Sequence, residues 1–255
     1  VTLGSAFTLL GYLVGAAVYV WAGRDARWRV RGCADAHPYR AVVNRPLLLL
    51  AAGLVCGILG AKLVQWVLLG WPWHGNAAAI LQPDQGGRTI IAGLVCGWIG
   101  VEVAKWRLGI RGSAGDPFAL ALPAGEAVGR VGCFFNQCCY GAPTALPHCF
   151  PLAVYQHGAW RLPAQLYASA IALAIFAILF SLRGRMARQG DLFRLFLVLY
   201  GAGRFGLEFA RYRDKLYFGL DLAQWVCLEL VLAGTAMLVI PRLLSAGRAR
   251  TASAG

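Results

Sequence analysis

Long apolar runs recur along this chain, divided by short polar stretches, and nothing else limits its fold as much. A membrane-spanning helix needs about 20 mostly apolar residues. Residues 2–23, 46–70, 90–106, 166–182, 192–209 and 222–244 match that pattern. Residues 117–128 are apolar but short and hold Glu126, which predicts a span that crosses only with help or enters part-way. The set predicts an all-α polytopic membrane protein with seven transmembrane helices. The first run lacks a basic start and is too long for a signal peptide, so it reads as a retained span. Charged residues are 14% of the chain and hydrophobic ones 59%, against roughly 25% charged in a soluble domain, so a soluble fold is excluded. We expect one membrane domain over residues 1–244 and a flexible polar tail over 245–255. No internal repeat stands out.

Charge sets the expected orientation. The net charge is +13, and basic residues of polytopic proteins collect in cytoplasmic loops. Arg24, Arg27, Arg29, Arg31, Arg40 and Arg45 follow span one; Lys105, Arg107 and Arg111 follow span three. Arg183, Arg185 and Arg188 follow span five, and Arg242, Arg248 and Arg250 lie at the end. These segments alternate, which predicts an outside N-terminus and a cytoplasmic C-terminus. Residues 72–87, 130–162 and 211–221 are then external loops. Arg211, Arg213 and Lys215 break the rule in the last of them, which suggests a bound anion such as a phospholipid headgroup. Nucleic acid is the weaker partner, because no separate basic soluble domain exists to carry it.

Three polar constellations fall on that outer side. The first is Gln85-Gly86-Gly87-Arg88, where two glycines permit close backbone approach; a plain loop-to-helix turn is the bland alternative. The second is Glu126 with Arg130, at a spacing that allows an ion pair, followed by Cys133, Asn136, Gln137, Cys138, Cys139, Tyr140 and Gly141. Gly125, Gly129 and Gly132 keep that helix narrow for close packing. The third is Tyr200, Arg204, Glu208 and Arg211, on one helix face. Charges within a span cost on the order of 2.5–3.5 kcal/mol each on insertion scales, so they face the bundle interior or a wet cavity. An internal salt bridge is the structural alternative for the second and third. Arginines at an outer-leaflet cavity suit a phosphate-bearing lipid.

Gly129-Arg130-Val131-Gly132-Cys133-Phe134-Phe135-Asn136, followed by Gly141, resembles the signature of prolipoprotein diacylglyceryl transferases. Gln85-Gly86-Gly87 resembles that family's His-Gly-Gly stretch. Pro163-Ala164-Gln165-Leu166-Tyr167 is similar to its Pro-x-Gln-Leu-Tyr, and Arg204-Phe205-Gly206-Leu207-Glu208 with Arg211 to its late Arg-Phe-x-x-Glu-Phe-x-Arg helix. The resemblance implies transfer of a diacylglyceryl group from phosphatidylglycerol, or another anionic phospholipid, to the lipobox cysteine of a prolipoprotein signal peptide. It implies a multi-pass protein of the bacterial inner membrane, with its site facing the outer leaflet. Arg130 and Arg204 are the implied phosphate binders, and Glu208 and Tyr200 orient Arg204. Gln85, Gly86, Gly87, Gly129, Asn136, Gly141, Gln165, Tyr167 and Arg211 are the implied substrate contacts. No cofactor and no resident metal are expected.

The chain departs from that pattern in three places. Gln85 stands where the family has histidine and cannot serve as a base near neutral pH. Cys133 stands in place of asparagine and Cys138 in place of glutamate. His74, His148 and His157 lie in outer loops, either as replacement bases or as ordinary exposed histidines. Cys133, Cys138, Cys139 and Cys149 admit several readings. A disulfide ranks first, with Cys133 or Cys149 as better partners than the adjacent pair, and unpaired packing second. A zinc site from Cys133, Cys138, His148 and Cys149 matches no standard spacing, and a reactive thiol also ranks behind. Cys56, Cys96 and Cys227 fall in apolar runs and read as packing residues. Two other functions stay open: a non-catalytic lipid-binding or transport protein, and a thiol–disulfide membrane protein.

Overall fold

The structure is a computed structural model and describes residues 2–24, 46–69, 90–109, 115–146, 149–186, 188–211 and 218–252. Seven helices form among them: α1 Leu3–Arg24, α2 Pro46–Leu69, α3 Ile90–Arg107, α4 Gly115–Phe135, α5 Ala164–Leu182, α6 Asp191–Glu208 and α7 Leu222–Ala252. Four hold a stretch long and apolar enough to cross a membrane: Leu3–Gly23, Gly115–Phe135, Ala164–Leu182 and Leu222–Leu244. The helical membrane architecture therefore holds, with four helices meeting the spanning criterion where seven spans were expected.

The clearest revision concerns α4. The sequence read residues 117–128 as a short span and placed Arg130 in a loop. The helix instead runs 21 residues to Phe135. It continues because Glu126 and Arg130 pair one turn apart and because its glycines pack on α1. α7 likewise runs past Leu244 to Ala252. A two-stranded hairpin, β1 Val154–Gln156 and β2 Ala159–Arg161, adds a small antiparallel element to an otherwise helical chain.

The chain divides into two compact units, residues 1–34 with 113–255, and residues 35–112. In the larger unit α1 and α4 cross with backbones nearly touching. A Cβ on Gly11 would lie 2.7 Å from the Gly125 carbonyl oxygen, and one on Gly132 would lie 2.6 Å from that of Gly4. Small residues at such spacing let apolar helices associate through backbone contact where the hydrophobic effect gives no help. The contact pairs Gly4 with Gly132 and Gly15 with Gly125, so the helices are antiparallel. At the opposite end, Asp116 accepts hydrogen bonds from the backbone N–H groups of Gly190 (2.8 Å) and Phe193 (3.2 Å), tying α4 to the start of α6. There, too, Arg242 reaches Asp191 at 2.8 Å. The other end gathers the start of α1, the end of α4, the start of α5, the end of α6 and the start of α7.

The smaller unit holds α2 and α3, and it contains a repeat that the sequence reading passed over. Ala-Gly-Leu-Val-Cys-Gly occupies 52–57 and again 92–97. The two copies pack antiparallel and reciprocally. A Cβ on Gly57 would meet the Gly93 carbonyl oxygen at 3.1 Å, and one on Gly97 that of Gly53 at 3.0 Å. Cys96 packs over Gly60 as Cys56 packs over Gly100. Both cysteines are free thiols, in keeping with a packing role.

Candidate active site

Two of the three polar constellations meet in the larger unit. On α4, Glu126 Oε1 accepts from Arg130 Nε at 3.1 Å and Nη2 at 3.0 Å. The Arg130 side chain is 7% exposed, so the pair is one in which each partner offsets the other's desolvation. On α6, Glu208 pairs with Arg204 through the next turn and with Arg211 at 3.1 Å, all on one oxygen. Glu208 itself is buried. A narrow crevice of about 10 Å³, roughly the room for one water, lies between α4, α5 and α6, and Glu126, Tyr200, Gly203 and Arg204 line it beside apolar residues of α5.

Tyr200 stands out within this crevice. Its hydroxyl is buried and has no hydrogen-bond partner among the described residues. A buried unpaired hydroxyl costs stability, so one placed beside Glu126 and Arg204 points to a group that binds there. Chemically, the crevice offers the Arg204 guanidinium, the Glu126 carboxylate, the Tyr200 hydroxyl and an apolar wall. That combination suits an anionic head with an apolar tail.

The other expected residues are placed differently. Asn136 packs on Gly4 at the start of α1, and its Oδ1 accepts from the Thr2 hydroxyl at 3.2 Å. Gly129 faces open space: a Cβ there would meet nothing within 4 Å. Gln165 is buried and its Nε2 donates to the Cys138 carbonyl at 2.9 Å and to Gln156 Oε1 at 3.3 Å. Tyr167 donates to the Pro151 carbonyl at 2.8 Å, away from the crevice lining. Gly141 is buried at the junction of three segments. Its N–H donates to Leu162 O at 3.1 Å, and it bridges to Arg211 at the end of α6. A Cβ there would collide with the Leu162 carbonyl oxygen and lie 2.7 Å from that of Ala210, so only glycine fits. Gln85, Gly86, Gly87, Arg88, His74, His148, Arg213 and Lys215 lie outside the described residues.

The loop after α4 is folded onto the hairpin. The Arg161 guanidinium lies 4.5 Å from the centre of the Tyr140 ring and donates to the Gly141 carbonyl at 3.4 Å. His157 is exposed, and its Nε2 sits 2.7 Å from the Gln137 carbonyl oxygen. A carbonyl only accepts, so that nitrogen carries the proton. Backbone turns at Gln137 (φ 49°) and Cys139 (φ 58°) coil the segment back on the helix end. This brings the sulfurs of Cys133, Cys138 and Cys139 within 4.8 Å of one another. Cys149, which spacing offered as a partner, is not among them, and all four thiols are free. Hydrogen bonds from Cys133 and Cys138 push the Cys139 thiol well down, with the Arg130 and Arg211 charges adding to the effect. The same sharing of protons, first with Cys133 and then with Cys139, pushes Cys138 up.

Sequence reasoning found the charged residues but missed the partners on α1. Gly4, Gly11 and Gly15 sit at helical spacing and mirror Gly125 and Gly132, which was the available signal.

The chain matches the prolipoprotein diacylglyceryl transferase family over residues 7–240. The phosphatidylglycerol–prolipoprotein diacylglyceryl transferase of Symbiobacterium thermophilum is 34% identical over 194 residues, covering 71% of this chain and 71% of that protein. The Dehalococcoides mccartyi protein of the same description is 29% identical over 213 residues, covering 80% of this chain and 78% of its own length. A Streptococcus agalactiae serotype Ia relative is 37% identical over 124 residues, 46% of this chain and 48% of its own. With a match that runs through most of its length, this chain belongs to the prolipoprotein diacylglyceryl transferase family.

Proposed function

We propose that the protein moves a diacylglyceryl group from phosphatidylglycerol to the lipobox cysteine thiol of a prolipoprotein signal peptide. The observation that carries this reading is the crevice walled by Glu126, Tyr200 and Arg204, with Arg130 paired to Glu126, and Arg204 and Arg211 both paired to the buried Glu208. The lipid phosphate lies between Arg130 and Arg204. Glu126 and Glu208 fix the two guanidiniums, and the Tyr200 hydroxyl donates to a phosphate oxygen. Gly129 leaves space beside Arg130 for the headgroup, and Gly141 holds the Arg211 end of α6 in place. Gln165 holds the Cys138 loop, while Asn136, Tyr167, Gln85, Gly86 and Gly87 complete the substrate contacts.

The reaction is a displacement at carbon. The acceptor thiol loses its proton to solvent, and its sulfur attacks the glyceryl CH2 that carries the phosphate ester. The carbon–oxygen bond breaks, its electron pair stays on the phosphate oxygen, and glycerol phosphate leaves. Charge grows on the phosphate as the bond breaks, where prepositioned guanidiniums stabilise the transition state more than the ground state. The alternation of basic segments supports seven spans with an outside N-terminus, a cytoplasmic C-terminus and a crevice open to the outer leaflet, and the family resemblance implies a bacterial inner membrane.

The test uses labelled phosphatidylglycerol and a lipobox peptide. Arg130→Ala and Arg204→Ala each abolish transfer and release of glycerol phosphate. Activity persisting in both variants sinks the reading. Lipid binding without product in the unaltered protein favours a non-catalytic lipid carrier instead.

A further inference from the structure

The three clustered thiols are not used by the reaction just described. Cys133 lies in the last turn of α4, three residues after Arg130, and Cys138 and Cys139 fold back over it. The Cys138 N–H donates to the Cys133 carbonyl at 3.1 Å, which closes the loop. The buried Gln165 grips the Cys138 carbonyl from below. Cys138 and Cys139 are exposed and Cys133 is half-buried.

Three sulfurs within 4.8 Å of one another are near the spacing of a tetrahedral thiolate site. Zinc–sulfur bonds of about 2.3 Å place the sulfurs roughly 3.8 Å apart. Disulfide chemistry fits the number less well. It consumes thiols in pairs, a bridge between adjacent Cys138 and Cys139 is strained, and any other pairing strands the third. A soft cation uses all three at once. Three thiolates and Zn2+ sum to one negative charge, and Arg130 lies on the same helix three residues before Cys133.

We propose that Cys133, Cys138 and Cys139 hold a zinc ion whose fourth position is open to the thiol of the acceptor. A structural zinc site closes with four protein ligands, whereas a catalytic one keeps three and leaves a position free. This cluster supplies three from the described residues, on an exposed rim next to Arg130. The inference rests on the transferase reading and deepens it, because it supplies the activated nucleophile that Gln85 cannot. The acceptor thiol binds zinc and releases its proton to solvent, since a metal-bound thiol is deprotonated outright. The zinc-held sulfur attacks the glyceryl carbon while the phosphate departs toward the arginines. The product thioether is neutral, binds zinc weakly and leaves.

The full-length protein in detergent is reduced, loaded with Zn2+ and freed of unbound metal. We expect about one zinc per chain, as for a single site. Zinc falls at least tenfold in Cys138→Ser and Cys139→Ser and is retained in Cys149→Ser. With Co2+ in place of zinc, a sulfur-to-cobalt absorption band appears and grows when a lipobox peptide is added. The same peptide with serine for cysteine leaves it unchanged. Absence of bound zinc in the reduced protein, equal zinc in the serine variants, or a native disulfide among the three overturns the proposal. A cobalt band that ignores the cysteine peptide overturns the open position. The unaltered protein decides these points even if a variant fails to fold. Full-rate transfer after metal removal overturns the zinc site and leaves the transferase reading standing. A peptide-dependent cobalt band without transfer does the reverse.

Discussion

Arg211 Nη1 donates to Glu208 Oε1 at 3.1 Å, on the same carboxylate oxygen that pairs with Arg204. One buried carboxylate thus holds two guanidiniums, one from within α6 and one just past its end. Removing it leaves two partly buried cations uncompensated. Glu208→Ala should destabilise the protein by about 3–5 kcal/mol, the usual cost of breaking a buried pair. Thermal unfolding in detergent measures it. Glu208→Gln keeps the shape and loses the charge, so it should fold better than Glu208→Ala yet transfer poorly.

Tyr200 makes the opposite prediction. Its hydroxyl has no hydrogen-bond partner among the described residues, so Tyr200→Phe should change stability by less than about 1 kcal/mol. If the hydroxyl meets the lipid phosphate, transfer should fall on the order of 10–100-fold, matching about 1.5–3 kcal/mol for a hydrogen bond to a charged group. Unchanged transfer would remove Tyr200 from the site.

Gly129 and Gly132 separate binding from packing. A Cβ on Gly132 meets the Gly4 carbonyl oxygen at 2.6 Å, whereas one on Gly129 meets nothing. Gly132→Ala should cost about 1–3 kcal/mol through overpacking. Gly129→Ala should leave the unfolding temperature unchanged and act only on substrate affinity. Unfolding curves and the KM for phosphatidylglycerol distinguish the two.

Gly141 joins the loop after α4 to the end of α6. Gly141→Ala should push these segments apart and displace Arg211. The expected result is a loss of transfer at least as large as that of Arg211→Ala. A fully active Gly141→Ala would show that the junction tolerates a shift.

Gly57 and Gly97 should behave as equivalents. Each faces a carbonyl oxygen of the other repeat at nearly the same distance. Gly57→Leu and Gly97→Leu should destabilise the α2–α3 pair by similar amounts. A difference above about 1 kcal/mol, large on the scale of ordinary point substitutions, would argue against the reciprocal packing.

The sequence by itself determined that the chain is helical and membrane-embedded, because apolar length is a local property. It also made the charged pairs legible. Glu126 with Arg130, and Arg204 with Glu208 and Arg211, are legible from helical spacing alone. Tertiary structure decided the rest. Only the packing of α4 against α6 puts Tyr200 and Glu126 on one crevice. It also directs Asn136 to Gly4, Tyr167 to Pro151 and Gln165 to Cys138. Those three look alike in sequence, since a polar residue beside an apolar run carries no record of which distant backbone group it will meet. The cysteines make the same point. Spacing left Cys133 and Cys149 as equal candidates, but the left-handed turns at Gln137 and Cys139 reverse the chain and gather Cys133, Cys138 and Cys139. Spacing along a helix is fixed by its 3.6-residue period, whereas the path of a loop is fixed by what it packs against.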